Sequence, residues 1–285
     1  MGRISISILF AIYCCSAAAQ KKVPGIDKDR NFVMEVKQID EFFERFNDAP
    51  HTLLRQYLGR KFPGAHIERV ALLKSITNRE CHHWDTTGLE SFYRFVTDKR
   101  RPAYLDFEAG GWFASVVCRF RYKNKPVDVQ LVLNIRREKN GGTSWVISGA
   151  WCPDVNLTPG TSTNVTAVSV PGANHKFLNP ISHATGFIGL SKAMTDLAHT
   201  GDYLDASFYH KPASVRFLQS LVAGELQFDY VSHISYYFFQ VEGWVFTVNY
   251  YRQNTNNPGW LMDRLVRATT GDKERYKEKM YENGF

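Results

Sequence analysis

Long apolar runs are missing from this sequence. The longest, Ile4 to Tyr13, falls well short of the ~20 residues a helix needs to cross a bilayer, so no transmembrane segment is expected. Cysteine is scarce, with five in 285 residues, and Cys14 and Cys15 fall in the opening stretch. The other three, Cys81, Cys118 and Cys152, form no CxxC and sit at no Cys/His spacing, so neither a zinc site nor any other metal site is expected. No GxSxG, HExxH, Walker or Rossmann pattern occurs, and the pairs Gly110-Gly111 and Gly141-Gly142 fit turns rather than a phosphate cradle. No cofactor is therefore expected. A concentrated charge of one sign is also lacking. The formal charge is +7, but the basic residues are scattered and acids lie among them, as on a solvated surface. No nucleic-acid partner is expected.

What is present begins with a leader. Residues 1–19 combine Arg3, the apolar run and the small residues Ala17-Ala18-Ala19 before Gln20, the pattern of a secretory signal peptide. Cys14 and Cys15 follow Tyr13 and Cys14 rather than a small residue, which argues against lipid anchoring. The expected location is periplasmic or extracellular. Residues 20–31 are a polar, flexible leader. In an oxidising compartment Cys118 and Cys152, both in expected strands, are the pair to bridge; buried free thiols are the alternative.

The organising stretch is Val127 to Trp151, because a degraded copy lies 115 positions later. Asn134, Arg137 and Trp145 have counterparts Asn249, Arg252 and Trp260, and both copies carry a Gly/Asn-rich turn between the matches. An internal duplication follows. The first unit, residues 32–152, opens with helical stripes: Val36, Ile39, Phe42, Phe43 and Phe46, then residues 51–58, then Ile67, Val70, Leu73 and Ile76. Residues 89–96 suit a helix or a strand. Period-two segments follow at 103–108, 112–122, 127–136 and 143–152. Residues 153–174 are an uncharged Pro/Gly/Ser/Thr linker apart from Asp154, with sequons at Asn156 and Asn164. The second unit, 175–285, offers helices near Ser182 and over 213–222, strands over 226–240, 244–252 and 260–267, and a charged terminal helix or tail over 272–283. Arg216 in RFLQSLV is matched to Arg69 in RVALLKSI.

The fold class is therefore α+β, in two tandem units, each with helices packed on a curved, cone-like antiparallel sheet. Through its element order and the pieces EFFERFN, RVALLKSI and RFLQSLV, each unit resembles the nuclear-transport-factor-2-like cone fold of ketosteroid isomerases and polyketide cyclases. Two such units in tandem resemble small exported bacterial proteins. The resemblance implies a carboxylate base and a hydroxyl or His partner inside a cone, their pKa values shifted by apolar walls. A two-residue turn at Glu242-Gly243 would put His233, Ser235 and Tyr237 on one face with Tyr250 and Arg252. Asp263 would then lie opposite Tyr250. The candidate ligand pocket is thus His233, Tyr250, Arg252 and Asp263; a core Tyr–Asp hydrogen bond with His233 and Arg252 at the rim is the alternative. Cys81-His82-His83-Trp84-Asp85 lacks a further ligand at useful spacing. The functional expectation is an exported, non-catalytic protein binding a small ligand or an envelope partner. An isomerase, dehydratase or cyclase acting in the second unit, or a scaffold of an envelope assembly, are the alternatives.

Overall fold

The computed structural model describes residues 34–64, 66–81, 84–138, 141–152, 176–179, 187–252 and 257–283. The leader, the expected linker with its sequons, His82, His83 and the helix start near Ser182 lie outside the described residues. Helices α1 (Ile39–Phe46), α2 (Leu53–Lys61), α3 (Arg69–Ser75) and α4 (Thr86–Val96) precede strands β1 (Trp112–Tyr122), β2 (Lys125–Arg137) and β3 (Thr143–Trp151). Then come α5 (Ile188–Thr195), two 3-10 turns (Leu197–Tyr203 and Ala206–His210), α6 (Pro212–Val222), β4 (Leu226–Phe238), β5 (Trp244–Tyr251), β6 (Gly259–Arg267) and α7 (Thr270–Asn283).

Local chemistry explains the boundaries. Asp85 accepts from the Thr87 amide and starts α4, which settles residues 89–96 as helical. Pro212 opens α6, where its missing N–H costs nothing. Thr269 and Asp272 cap α7 reciprocally: Thr269 N donates to Asp272 Oδ2 (2.9 Å) and Asp272 N to Thr269 Oγ1 (3.2 Å). Lys123 and Asn124, both at positive φ (49° and 65°), make the tight β1–β2 turn. Residues 103–108, expected as a strand, form no ladder. They are held instead by side chains: Arg69 donates to the carbonyls of Phe46, Val96 and Ala103, and Asn47 pairs with both backbone groups of Leu105.

All six strands form one antiparallel sheet in the order β3-β2-β1-β4-β5-β6, where two separate sheets were expected. The outer strands of the two meanders nevertheless share a register. Ile135 faces Trp145 and Asn134 faces Val146; 115 positions on, Tyr250 faces Trp260 and Asn249 faces Leu261. The bulges coincide too, lying between Val132 and Leu133 in one meander and between Thr247 and Val248 in the other. β1 and β4 join the meanders, with Ala114 opposite Tyr236.

The helices cross over. From the N-terminal segment, Phe42 stacks on Phe238 (5.7 Å), Phe46 on Phe246 (5.8 Å) and Phe92 meets Trp244 edge-on (5.5 Å). From the later segment, Phe217 meets Phe120 (5.6 Å) and Phe187 meets Trp145 (5.5 Å). Backbone bridges follow the same exchange. Val36 pairs with Gly259 and Thr77 with Met262, whereas Leu178 pairs with Trp145 and Leu204 with Ile147. Gly259 allows its bridge: its φ is +105°, and a Cβ there would lie 2.2 Å from the Val36 carbonyl oxygen. Thr77 and Leu204 thus take similar places against the two edge strands, Thr77 ahead of α4 and Leu204 ahead of the second 3-10 turn and α6.

One sheet face, the inner one, is covered by these helices. Trp112, Ala114, Val116, Cys118 and Phe120 of β1 are fully buried there. The outer face carries α7, whose Tyr276, Met280 and Tyr281 pack with Phe113, Val132, Phe239 and Val245. Cys118 and Cys152 form no disulfide. Cys118 faces Val129 in β2, and Cys152 follows Trp151, the partner of Gln130. Two strand spacings, ~9.5 Å, thus separate them, beyond the ~7 Å Cα limit of a disulfide.

Candidate functional site

Asp263 occupies the bulge of β6, the position held by Ser148 in β3. The bulge turns its carboxylate onto the outer face beside the odd-numbered residues of β5. There it accepts from Thr247 Oγ1 (2.5 Å), Asn249 Nδ2 (2.6 Å) and Tyr251 OH (2.8 Å). Burial, and then the hydrogen bond to Asp263, push the Tyr251 phenol well up; burial, and then the charge of Asp263, raise the Cys81 thiol. Both stay protonated near neutrality, so Cys81 is not an activated nucleophile.

The network continues to β4. Asn249 gives its amide N–H to Asp263, so its Oδ1 faces Ser235, whose Oγ donates to it at 2.5 Å. His233 Nε2 lies 3.1 Å from Ser235 Oγ. The one serine proton is committed to Asn249, leaving Oγ to accept from His233. A nucleophile–base pair needs the reverse polarity. The cluster acts chemically as a polar cross-link of β4, β5 and β6.

Of the four residues expected in a pocket, only His233 and Asp263 share this network. Tyr250 lies on the inner side at the sheet margin, 40% exposed, against Trp260 (5.4 Å) and Glu35 Oε1 (3.2 Å). Arg252 is exposed just beyond β5. The expected register fails because Phe238, not Phe239, faces Phe246. The β4–β5 connection takes five residues rather than two, which shifts the pairing by one and reverses the face. The bulge then moves Asp263 to the side opposite Tyr250.

The inner face, where the resemblance puts a reaction chamber, is filled. Phe42, Phe46, Phe92, Trp112, Phe238 and Phe246 are buried to 1% exposure or less and stack on one another. The Tyr236 hydroxyl, without a partner among the described residues, is sealed between Trp112 and Trp260. Concave sites lie at the surface instead. One cleft of ≈ 500 Å³ is lined by Phe95, Arg100, Arg101, Tyr104 and Gln240; another, ≈ 360 Å³ and more apolar, lies between α2 and α3. Sequence reasoning did not single out either one. The exposed aromatic and basic residues of 95–104 were a readable signal, obscured by assigning 103–108 to a strand. Among the described residues no group of three or more His, Cys, Asp or Glu could hold a metal ion.

No family model matches this chain, and neither a curated protein nor a solved structure does.

Proposed function

We propose that this is an exported, non-catalytic binding protein of the cell envelope that engages a ligand or protein partner through its surface. It would be built from two tandem α+β units that have exchanged helices. The observation that carries this reading is the filled inner face: stacked aromatic rings occupy the space that a cone-fold enzyme keeps for substrate, and Asp263 is turned away from it, its oxygens engaged by three donors. The shared register at a spacing of 115 residues supports the tandem origin. No helix among the described residues is long and apolar enough to cross a membrane, which accords with the reading but does not establish it.

The experiment is a thermal-melt screen of the full chain against planar steroid ketones and polycyclic polyketides, ligands of the size a cone chamber holds. The reading expects an unchanged Tm. A concentration-dependent rise of several degrees that Phe246→Ala abolishes would place a ligand in the inner face and overturn it.

A further inference from the structure

We infer that the cleft formed by the 95–104 segment and the β4–β5 connection binds a carboxylate-bearing oligosaccharide. This rests on the surface-binding reading above and supplies its ligand class. The cleft is built rather than incidental. Ala103 N donates to Val96 O (3.1 Å), Arg69 Nη2 to Ala103 O (2.5 Å), and Asp98 Oδ1 accepts from the amides of Arg100 (2.8 Å) and Arg101 (3.0 Å). Gln240 closes the far side, accepting from Asp106 N (3.0 Å) and donating to Asp106 O (2.7 Å). A loop tied at so many points loses little entropy when it binds.

Two aromatic rings face outward from this frame. Phe95 is 39% and Tyr104 55% exposed, and the Arg69 guanidinium, 4.4 Å from the Tyr104 ring, backs one side of it. Held rings with an open face suit the C–H faces of a sugar. Arg100 and Arg101 line the same wall, and among the described residues neither guanidinium has an ion-pair partner. Their planar forks match a carboxylate. Asp98 and Glu242 also line the cleft and can accept from sugar hydroxyls. That mixture separates the possible ligands. An acidic peptide would meet two carboxylates and bring few hydroxyl donors, whereas a uronate-type sugar offers one carboxylate and several hydroxyls. The volume of ≈ 500 Å³ takes one or two sugar rings.

The test is calorimetric titration of the full chain with trisaccharides of galacturonate, glucuronate and sialate, with their methyl esters, and with a hexaglutamate peptide. At least one acidic trisaccharide is expected to bind, its ester at least tenfold more weakly. The double variant Arg100→Gln/Arg101→Gln is expected to lose at least tenfold in affinity with Tm unchanged, and Tyr104→Leu to lose a similar factor. Three results would overturn the inference: no acidic trisaccharide binding at millimolar concentration, binding untouched by the arginine pair, or hexaglutamate binding as tightly as the sugars. None of them bears on whether the inner face is filled, which the steroid and polyketide screen reads separately.

Discussion

At the scale of single residues, Asp263 is the side chain on which the second meander's outer face depends. Replacing it with Ala leaves Thr247, Asn249 and Tyr251 without their common acceptor and frees Asn249 to release Ser235. Orphaned buried donors cost ~1–3 kcal/mol each. The site is only half-buried, so water will replace part of the loss, and Asp263→Ala should cost about 2–3 kcal/mol in chemical denaturation. Asp263→Asn, which keeps one acceptor oxygen, should cost less. Equal stability of the Ala variant and the native chain would show that the network is idle. In the sequence Asp263 stood out as a polar residue where the first unit has Ser148. Its face could not be read, because a one-residue shift in β4–β5 pairing and a bulge in β6 each reverse a side chain without altering composition or alternation. Cys118 lies in the expected strand and Cys152 one residue past the end of β3, but their pairing fails because strand assignment does not count the strand, β2, that lies between them.

At the scale of elements, α7 is tied to pH by its cap. Hydrogen bonds from the Thr269 side chain and backbone, and then Arg275, hold the Asp272 carboxyl at about 2, below its usual 3.8. A depressed folded-state pKa stabilises the cap fully above the unfolded value, and that contribution is lost as pH falls from about 4 through about 2. Amide exchange in the first turn of α7 should therefore accelerate over that window while exchange in β1 does not. Asp272→Asn should remove the acid dependence. A first turn whose protection follows the global melt at every pH would refute the assignment. The cap was not read, since the charged run 272–283 suggested a tail as readily as a helix. The apolar stripe of α1 was legible, because Phe42, Phe43 and Phe46 recur at the helical period, whereas residues 89–96 suit a helix or a strand by sequence and only the structure makes them α4. α3 and the first 3-10 turn share a place in chain order before the Thr77 and Leu204 bridges, and segments this short carry too few residues for a sequence pattern to announce it.

At the scale of the whole molecule, the similarity between residues 134–145 and 249–260 does not say which helices cover which strands. Similarity at a fixed spacing is the same whether each helical segment folds over its own meander or over the other one. The structure has the second arrangement: Phe42, Phe46 and Phe92 lie on β4 and β5, while Phe217 and Phe187 lie on β1 and β3. Each half of the chain thus has much of its apolar face covered by the other, although Phe43 also meets Trp112 of its own half at 4.9 Å, and the joint runs through the β1–β4 ladder at the centre of the sheet. Fragments 34–152 and 176–283 should each lack a cooperative transition and expose apolar surface when made alone, because burial of that surface is the main driving force for folding. Mixed in equal amounts, they should restore a 1:1 complex with one melting transition and the near-ultraviolet signature of the packed tryptophans. Two fragments that each melt cooperatively as monomers would mean that the helices can close on their own strands, and the exchange would then be a choice of packing rather than a requirement of the fold.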